Sequence, residues 1–236
     1  MKAGIAELAR LPGVWRGGEL EQAPQPVLPT GHAALDRELP GGGWPCATLS
    51  EVLHDGVGIG EISFLMGALA RAADGGRLVA WINPPHLPYA PALAQAGIAL
   101  EHCLVIRPAS AEDALWAAEQ ALRSGACGAA LLWMQKDDYA WMRRLQMGAQ
   151  AGRSMAVLMR STAVERLSTP AHLRVVVERD GPALRVRIPK RRGPPLVKPV
   201  EVAAGVFARR GARIQGAPFS VPSRVLALPQ RPRAVA

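Results

Sequence analysis

Apolar positions along the first two thirds of the chain fall into short uninterrupted runs, each closed by a turn or a polar residue. They are TLSEVL (48–53), RLVAWIN (77–83), CLVIR (103–107), AALLWM (129–134) and MAVLMR (155–160). Runs of this length predict strands buried on both faces. Longer stretches between them carry a helical pattern: EISFLMGALARAADGG (61–76), SAEDALWAAEQALRSG (110–125) and DDYAWMRRLQMGAQAG (137–152). The second opens on a Ser with Glu and Asp behind it and the third on two acids, and all three end at glycine, as helix caps do. Strand and helix in alternation predict parallel neighbours joined by right-handed crossovers, hence a sheet covered on both faces. After Arg160 the pattern changes. LRVVVERDGPALRVRIP (173–189) predicts two strands joined by an Asp-Gly turn, an antiparallel hairpin at the edge of the sheet.

With 236 residues, 49% of them hydrophobic, the chain can bury one substantial core with extensions. Charge divides it. From Gly181 onward there are twelve Lys or Arg and one acid, Glu201, for a net +11, whereas the preceding part carries −2. That last stretch also holds nine prolines and five glycines, a composition that favours extended chain over a packed core. The division expected is an N-terminal arm at 1–27, a core at 28–204 and a basic, proline-rich flexible tail at 205–236. Lys2, Glu7 and Arg10 interrupt the N-terminus, and the apolar run GACGAALLWM is too short for a bilayer, so a soluble cytoplasmic protein with no membrane contact is expected. Cys46, Cys103 and Cys127 are odd in number and far apart, which suggests neither a disulfide framework nor a metal site.

The turn between the first run and the first helical stretch, LHDGVGIGEIS (53–63), has the strand, glycine-rich loop and helix context of a phosphate cradle. Its chemistry does not follow. Counting back five from Gly60 puts Asp55 where the first glycine of the motif belongs, with Gly56 and Gly58 between them. Glu61 stands at the lysine and Ile62 at the magnesium-binding hydroxyl, while Ser63 comes one residue too late. A carboxylate in place of the ammonium opposes a bound anion. Two like charges 4 Å apart repel by about 4 kcal/mol at an effective dielectric near 20.

LPTGHAALDRELPGGGWP (28–45) resembles the start of the RecA ATPase core, and the likeness runs from about Leu28 to Val202. AWINPPHLPYAPALAQAGI resembles the RecA segment bearing its catalytic glutamate, ALRSGACGAALLWM its Walker B helix and strand, and LRVRIPKRRGPPLVKPVEV its late basic hairpin. The resemblance implies an α/β RecA-like P-loop NTPase fold with a mostly parallel sheet, flanking helices, an antiparallel edge hairpin and a degenerate nucleotide site. It puts Trp133 at the metal-holding aspartate and Pro85 at the water-activating glutamate. With Glu61, three chemical positions fail independently, so no ATP hydrolysis, cofactor or catalytic residue is expected. Among RecA relatives, a short degenerate form with VWRG (14–17) resembles the ImuA family of translesion-synthesis accessory proteins and the related SulA-like proteins.

Arg185, Arg187, Lys190, Arg191, Arg192 and Lys198 make a cationic strip, for which three readings stand. Phosphate of DNA, bound nonspecifically, is one. A charged sheet edge that blocks further pairing is another. The third follows from the resemblance, since the matching residues in a RecA filament reach a neighbour's ATP and here would dock one-sidedly on RecA. The connections QKDDYAW and STAVERLSTPAH leave little chain for the family's DNA-gripping loops. His54 with Asp55 and His102 with Cys103 lack a third ligand at metal spacing. Trp15, in LPGVWRGGEL, is an aromatic anchor for either a partner groove or its own sheet. Resemblance to ImuA implies three partners, namely RecA, an ImuB-type inactive Y-family polymerase and an error-prone replicative-type DNA polymerase, with nucleoid association during damage. The competing expectation is a SulA-like inhibitor of cell division.

Overall fold

The computed structural model describes residues 26–203 other than 57, 137, 194, 195 and 197, so Trp15 and the basic tail lie outside the described residues. The chain begins with a two-residue strand β1 (Val27–Leu28), a short helix α1 (Ala33–Glu38) and β2 (Trp44–Pro45), which pairs antiparallel with β1. All five apolar runs are strands: β3 (Thr48–His54), β4 (Leu78–Ile82), β5 (Cys103–Ile106), β6 (Cys127–Trp133) and β7 (Met155–Arg160). Helices α2 (Met66–Ala72), α3 (Ala90–Gln95), α4 (Ala111–Arg123) and α5 (Tyr139–Gly152) separate them, and β8 (Leu173–Asp180), β9 (Ala183–Lys190) and β10 (Val200–Ala203) follow. One eight-stranded sheet results, ordered β10-β9-β8-β3-β7-β6-β4-β5 and parallel from β8 to β5.

Side chains of successive strand residues point to opposite faces, and the core divides accordingly. In β7, Met155, Val157 and Met159 join one cluster with Leu65 and Leu69 on the α2 side, whereas Ala156 and Leu158 join the other with Leu115 and Leu145 of α4 and α5. β4 and β6 split in the same way, Trp81 and Leu131 to the first face and Ala80 and Leu132 to the second. Both faces are therefore covered, which is why the runs carry no polar alternation.

Helix ends follow the capping residues with two corrections. Ser110 Oγ accepts from Asp113 N at 3.1 Å, and Asp138 Oδ1 accepts from Ala140 N at 2.9 Å and Trp141 N at 3.2 Å. The α5 terminus turns left-handed at Arg153 (φ 51°) rather than at Gly152. Gly152 is needed for a different reason: a Cβ there would lie 1.8 Å from the carbonyl oxygen of Leu122, so α5 and α4 could not approach. The helix expected from Glu61 instead opens with a 3-10 turn, Ser63–Leu65, and becomes α-helical only at Met66.

The hairpin is also corrected in detail. Asp180 pairs with Ala183, so the turn residues are Gly181 (φ 56°) and Pro182, with the Asp-Gly step at its first corner. β9 is not the sheet edge, because β10 pairs with it antiparallel from Val200 opposite Val186 to Ala203 opposite Ala183. No helix among the described residues is long and apolar enough to cross a membrane.

Candidate functional site

The glycine-rich turn leaves the end of β3, the strand flanked by β7 and β8. Gly56, Gly58 and Gly60 all have positive φ (88°, 81° and 103°), the conformation that lets backbone N–H groups converge on an anion. The anion they hold is the chain's own. Gly58 N donates to Glu61 Oε1 at 3.2 Å and Gly60 N to Glu61 Oε2 at 3.1 Å. Glu61 is only 5% exposed. Its side chain thus occupies two of the N–H groups of the turn.

The neighbouring residues hold this closed form. Ser63 Oγ donates to Gly60 O at 2.7 Å, so that hydroxyl is spent on the loop itself. At Gly60 glycine is favoured by φ, and a Cβ would also come within a tight 3.2 Å of Ser63 Oγ and of the Leu184 side chain. Ile62 stands before the 3-10 turn with no side-chain cap and packs on the α2-side core. Asp55 accepts from Ser161 Oγ at 3.2 Å, from Thr162 N at 3.2 Å and from the Thr162 hydroxyl, which holds its carboxyl below the usual range. His54 Nδ1 lies 2.7 Å from Gly56 O and so carries the proton donated to that carbonyl.

Beside the turn opens a pocket of about 470 Å³, and all three positions singled out for lost chemistry line it. Glu61 forms part of one wall, Trp133 at the end of β6 another, and Pro85, just beyond β4, a third. The Trp133 ring stacks on Trp81 at 6.2 Å between centroids and 20° between planes. Where a metal-binding carboxylate and a water-activating carboxylate would converge, the walls are indole and pyrrolidine. Such a surface attracts apolar or cationic groups. Among the described residues no three His, Cys, Asp or Glu side chains come together as a metal site.

Most residues of the cationic strip have partners within the fold. Arg185 pairs with Asp180 at 2.9 Å, and Arg187 makes a bidentate pair with Glu165 at 2.7 and 3.0 Å and also reaches Glu178. Lys190 Nζ donates to Thr169 O at 2.7 Å, and Arg191 donates to the Glu38 carbonyl. Arg192 lies close enough to His172 to help depress its pKa, and Lys198 is exposed just before β10. The expectation of a charged outer edge is corrected by β10, which pairs with β9.

One charged cluster was missed. Glu51, in the middle of β3, is fully buried, with Arg160 Nη1 donating to Oε1 at 3.0 Å and Arg174 Nε to Oε2 at 2.8 Å. Arg174 Nη1 also donates to the carbonyls of Glu165 and Leu167, each at 2.7 Å. The signal was present as a single charge inside each of TLSEVL, MAVLMR and LRVVV. The three cysteines are free, and burial pushes the Cys46 and Cys103 thiols up to about 11.

A scan of protein-family profiles matches none of them. Individual proteins do match. The chain is 36% identical over 99 residues to the cell division inhibitor SulA of Edwardsiella piscicida, covering 42% of this chain and 59% of that one. It is 31% identical over 128 residues to the RecA protein of Clavibacter michiganensis subsp. michiganensis, covering 53% and 35%, and 29% identical over 160 residues to RecA 1 of Myxococcus xanthus, covering 65% and 46%. The chain is therefore weakly similar to RecA and SulA, and spans only about a third to three fifths of the length of these relatives.

Proposed function

We propose that this chain is a non-catalytic, RecA-like accessory protein of the SOS response that acts in translesion DNA synthesis by bringing RecA together with mutagenic polymerases. The observation that carries the non-catalytic part is the Glu61 carboxylate seated on the N–H groups of Gly58 and Gly60. A phosphate would have to displace an anion tethered one residue away, with no ammonium or metal carboxylate in reward. Trp133 and Pro85 on the same pocket support this reading, since neither can hold a metal or activate water. Likeness to RecA and SulA supports a place in the SOS response, and likeness of VWRG and the shortened core to ImuA suggests lesion bypass with an ImuB-type inactive Y-family polymerase and an error-prone replicative-type polymerase. Lys190 and Arg192 remain the residues proposed to meet a RecA filament end.

Two experiments test it. Calorimetry of the purified chain with ATP and magnesium is expected to give no binding heat, and a saturable magnesium-dependent isotherm would sink the pseudo-ATPase assignment. Deleting the gene is expected to abolish damage-induced mutation. A second reading, inhibition of cell division, is favoured by the match to SulA over 99 residues. Filamentation on overproduction with normal damage-induced mutagenesis would select it.

A further inference from the structure

The pocket beside the closed cradle has apolar walls, one buried carboxylate and an exposed aromatic rim. Tyr89 and Leu87 are 72% and 67% exposed at its mouth, and Trp81 and Trp133 stack within. Glu61 is the one acidic residue lining it and has no ion-pair partner among the described residues. Grooves lined by aromatic rings accept extended proline-spaced peptides, which are already close to their bound shape and lose little entropy on docking. A buried carboxylate at such a groove selects for an arginine on the peptide.

This chain contains such a peptide. Residues 204–236 carry six arginines and no acid, and near the end they read LPQRPR (228–233), with Pro229 and Pro232 three apart and Arg231 and Arg233 flanking the second. We propose that the pocket is a receptor for an arginine-bearing, proline-spaced segment, and that its occupant is this chain's own Leu228–Arg233. The point of departure supports it. The described chain ends at Ala203 in β10, where Val202 pairs with Leu184, and the Leu184 side chain lies 3.2 Å from where a Cβ on Gly60 would stand. Gly60 lines the pocket. Ala203, the last described residue, therefore stands one strand away from a residue of the pocket. Twenty-four residues separate Ala203 from Leu228. Twenty-four residues can reach at most about 80 Å, so length does not prevent the contact, and tethering within one chain raises the local concentration of the segment. Opposite charge supplies the rest: the segment brings Arg231 and Arg233 to a pocket lined by one acid and by no Lys or Arg.

The inference goes beyond the accessory role and needs only that the pocket is free of nucleotide. The test uses the full chain. A fluorescein-labelled peptide of residues 227–236 is titrated by anisotropy into wild type, into R231E/R233E and into R231E/R233E carrying Tyr89→Ala. The R231E/R233E chain, its own tail disabled, is expected to bind the peptide about tenfold or more tighter than wild type, and Tyr89→Ala to reverse that gain. Tyr89 is exposed, so its removal leaves the melting temperature unchanged. Failure of R231E/R233E to bind, or binding that Tyr89→Ala does not weaken, overturns the proposal. Equal binding by wild type and R231E/R233E overturns the intramolecular occupant, and concentration-dependent self-association would then mark a second copy as the donor. Adding ATP and magnesium reads the pseudo-ATPase proposal separately, because displacement of bound peptide would sink that assignment and leave the docking intact.

Discussion

Glu51 shows at the level of one residue how far local pattern and environment can diverge. Its neighbours are apolar and the strand is fully buried, so an isolated carboxylate there would be costly to desolvate. Two arginines, 109 and 123 positions away along the chain, meet it with charge-assisted bonds at 3.0 and 2.8 Å. Removing the acid leaves two buried guanidiniums facing each other. Glu51→Ala is therefore expected to destabilise by about 3–5 kcal/mol, read as a lower urea midpoint with unchanged m-value. A loss below about 1 kcal/mol would mean that water reaches the cluster. Glu61, in the turn that follows the same strand, is the counterpart, a buried acid satisfied by backbone N–H groups one and three residues away rather than by cations.

At the scale of elements, the strands and the larger helices were legible because their periods are local. Five apolar runs became five strands, and Ser110 and Asp138 cap the helices they were expected to begin. Ser110→Ala removes the acceptor for Asp113 N and the reciprocal bond to its carboxylate, and should cost about 1 kcal/mol, visible as a melting temperature lowered by a few degrees. Ser110→Asp should recover most of it, and failure to do so would place the effect outside the cap. Less legible were β10 and the opening of α2. Val200–Ala203 is four residues among prolines, too short to announce itself, and becomes a strand because β9 presents an unpaired edge. The first turn after Glu61 tightens because Ser63 N and Oγ both bond Gly60 O.

Across the whole molecule, the titrating groups set how stability varies with pH. Burial lowers the pKa of His32 and His172, the latter helped by Lys190 and Arg192. The unfolded chain then binds protons first, so stability is expected to fall as pH drops through the ordinary histidine range near 6.5. Asp55 and Glu165 act in the same direction at lower pH. Their folded pKa values are held down by the Thr162 hydroxyl and the Arg187 guanidinium, so the stability they give is present above the usual carboxylate range of about 4 and is lost as pH falls through the lower folded values. Urea midpoints measured from pH 8 to 3 should show a plateau, a first decline below about 6.5 and a second below about 4. A flat profile between pH 8 and 5.5 would contradict the histidine contribution.

The order of strands and helices along the chain and the glycine-spaced turn were determined by the sequence, because each depends on residues within a few positions of one another. Only the tertiary structure decided that Glu61 folds back into the cradle, that Glu51 meets Arg160 and Arg174, that Arg185, Arg187 and Arg191 pair with acids from other elements, and that Glu61, Pro85 and Trp133 share one pocket. The reason is physical. The free energy of a charge depends on what surrounds it in space, and those surroundings come from chain segments whose distance along the sequence carries no information about their contact.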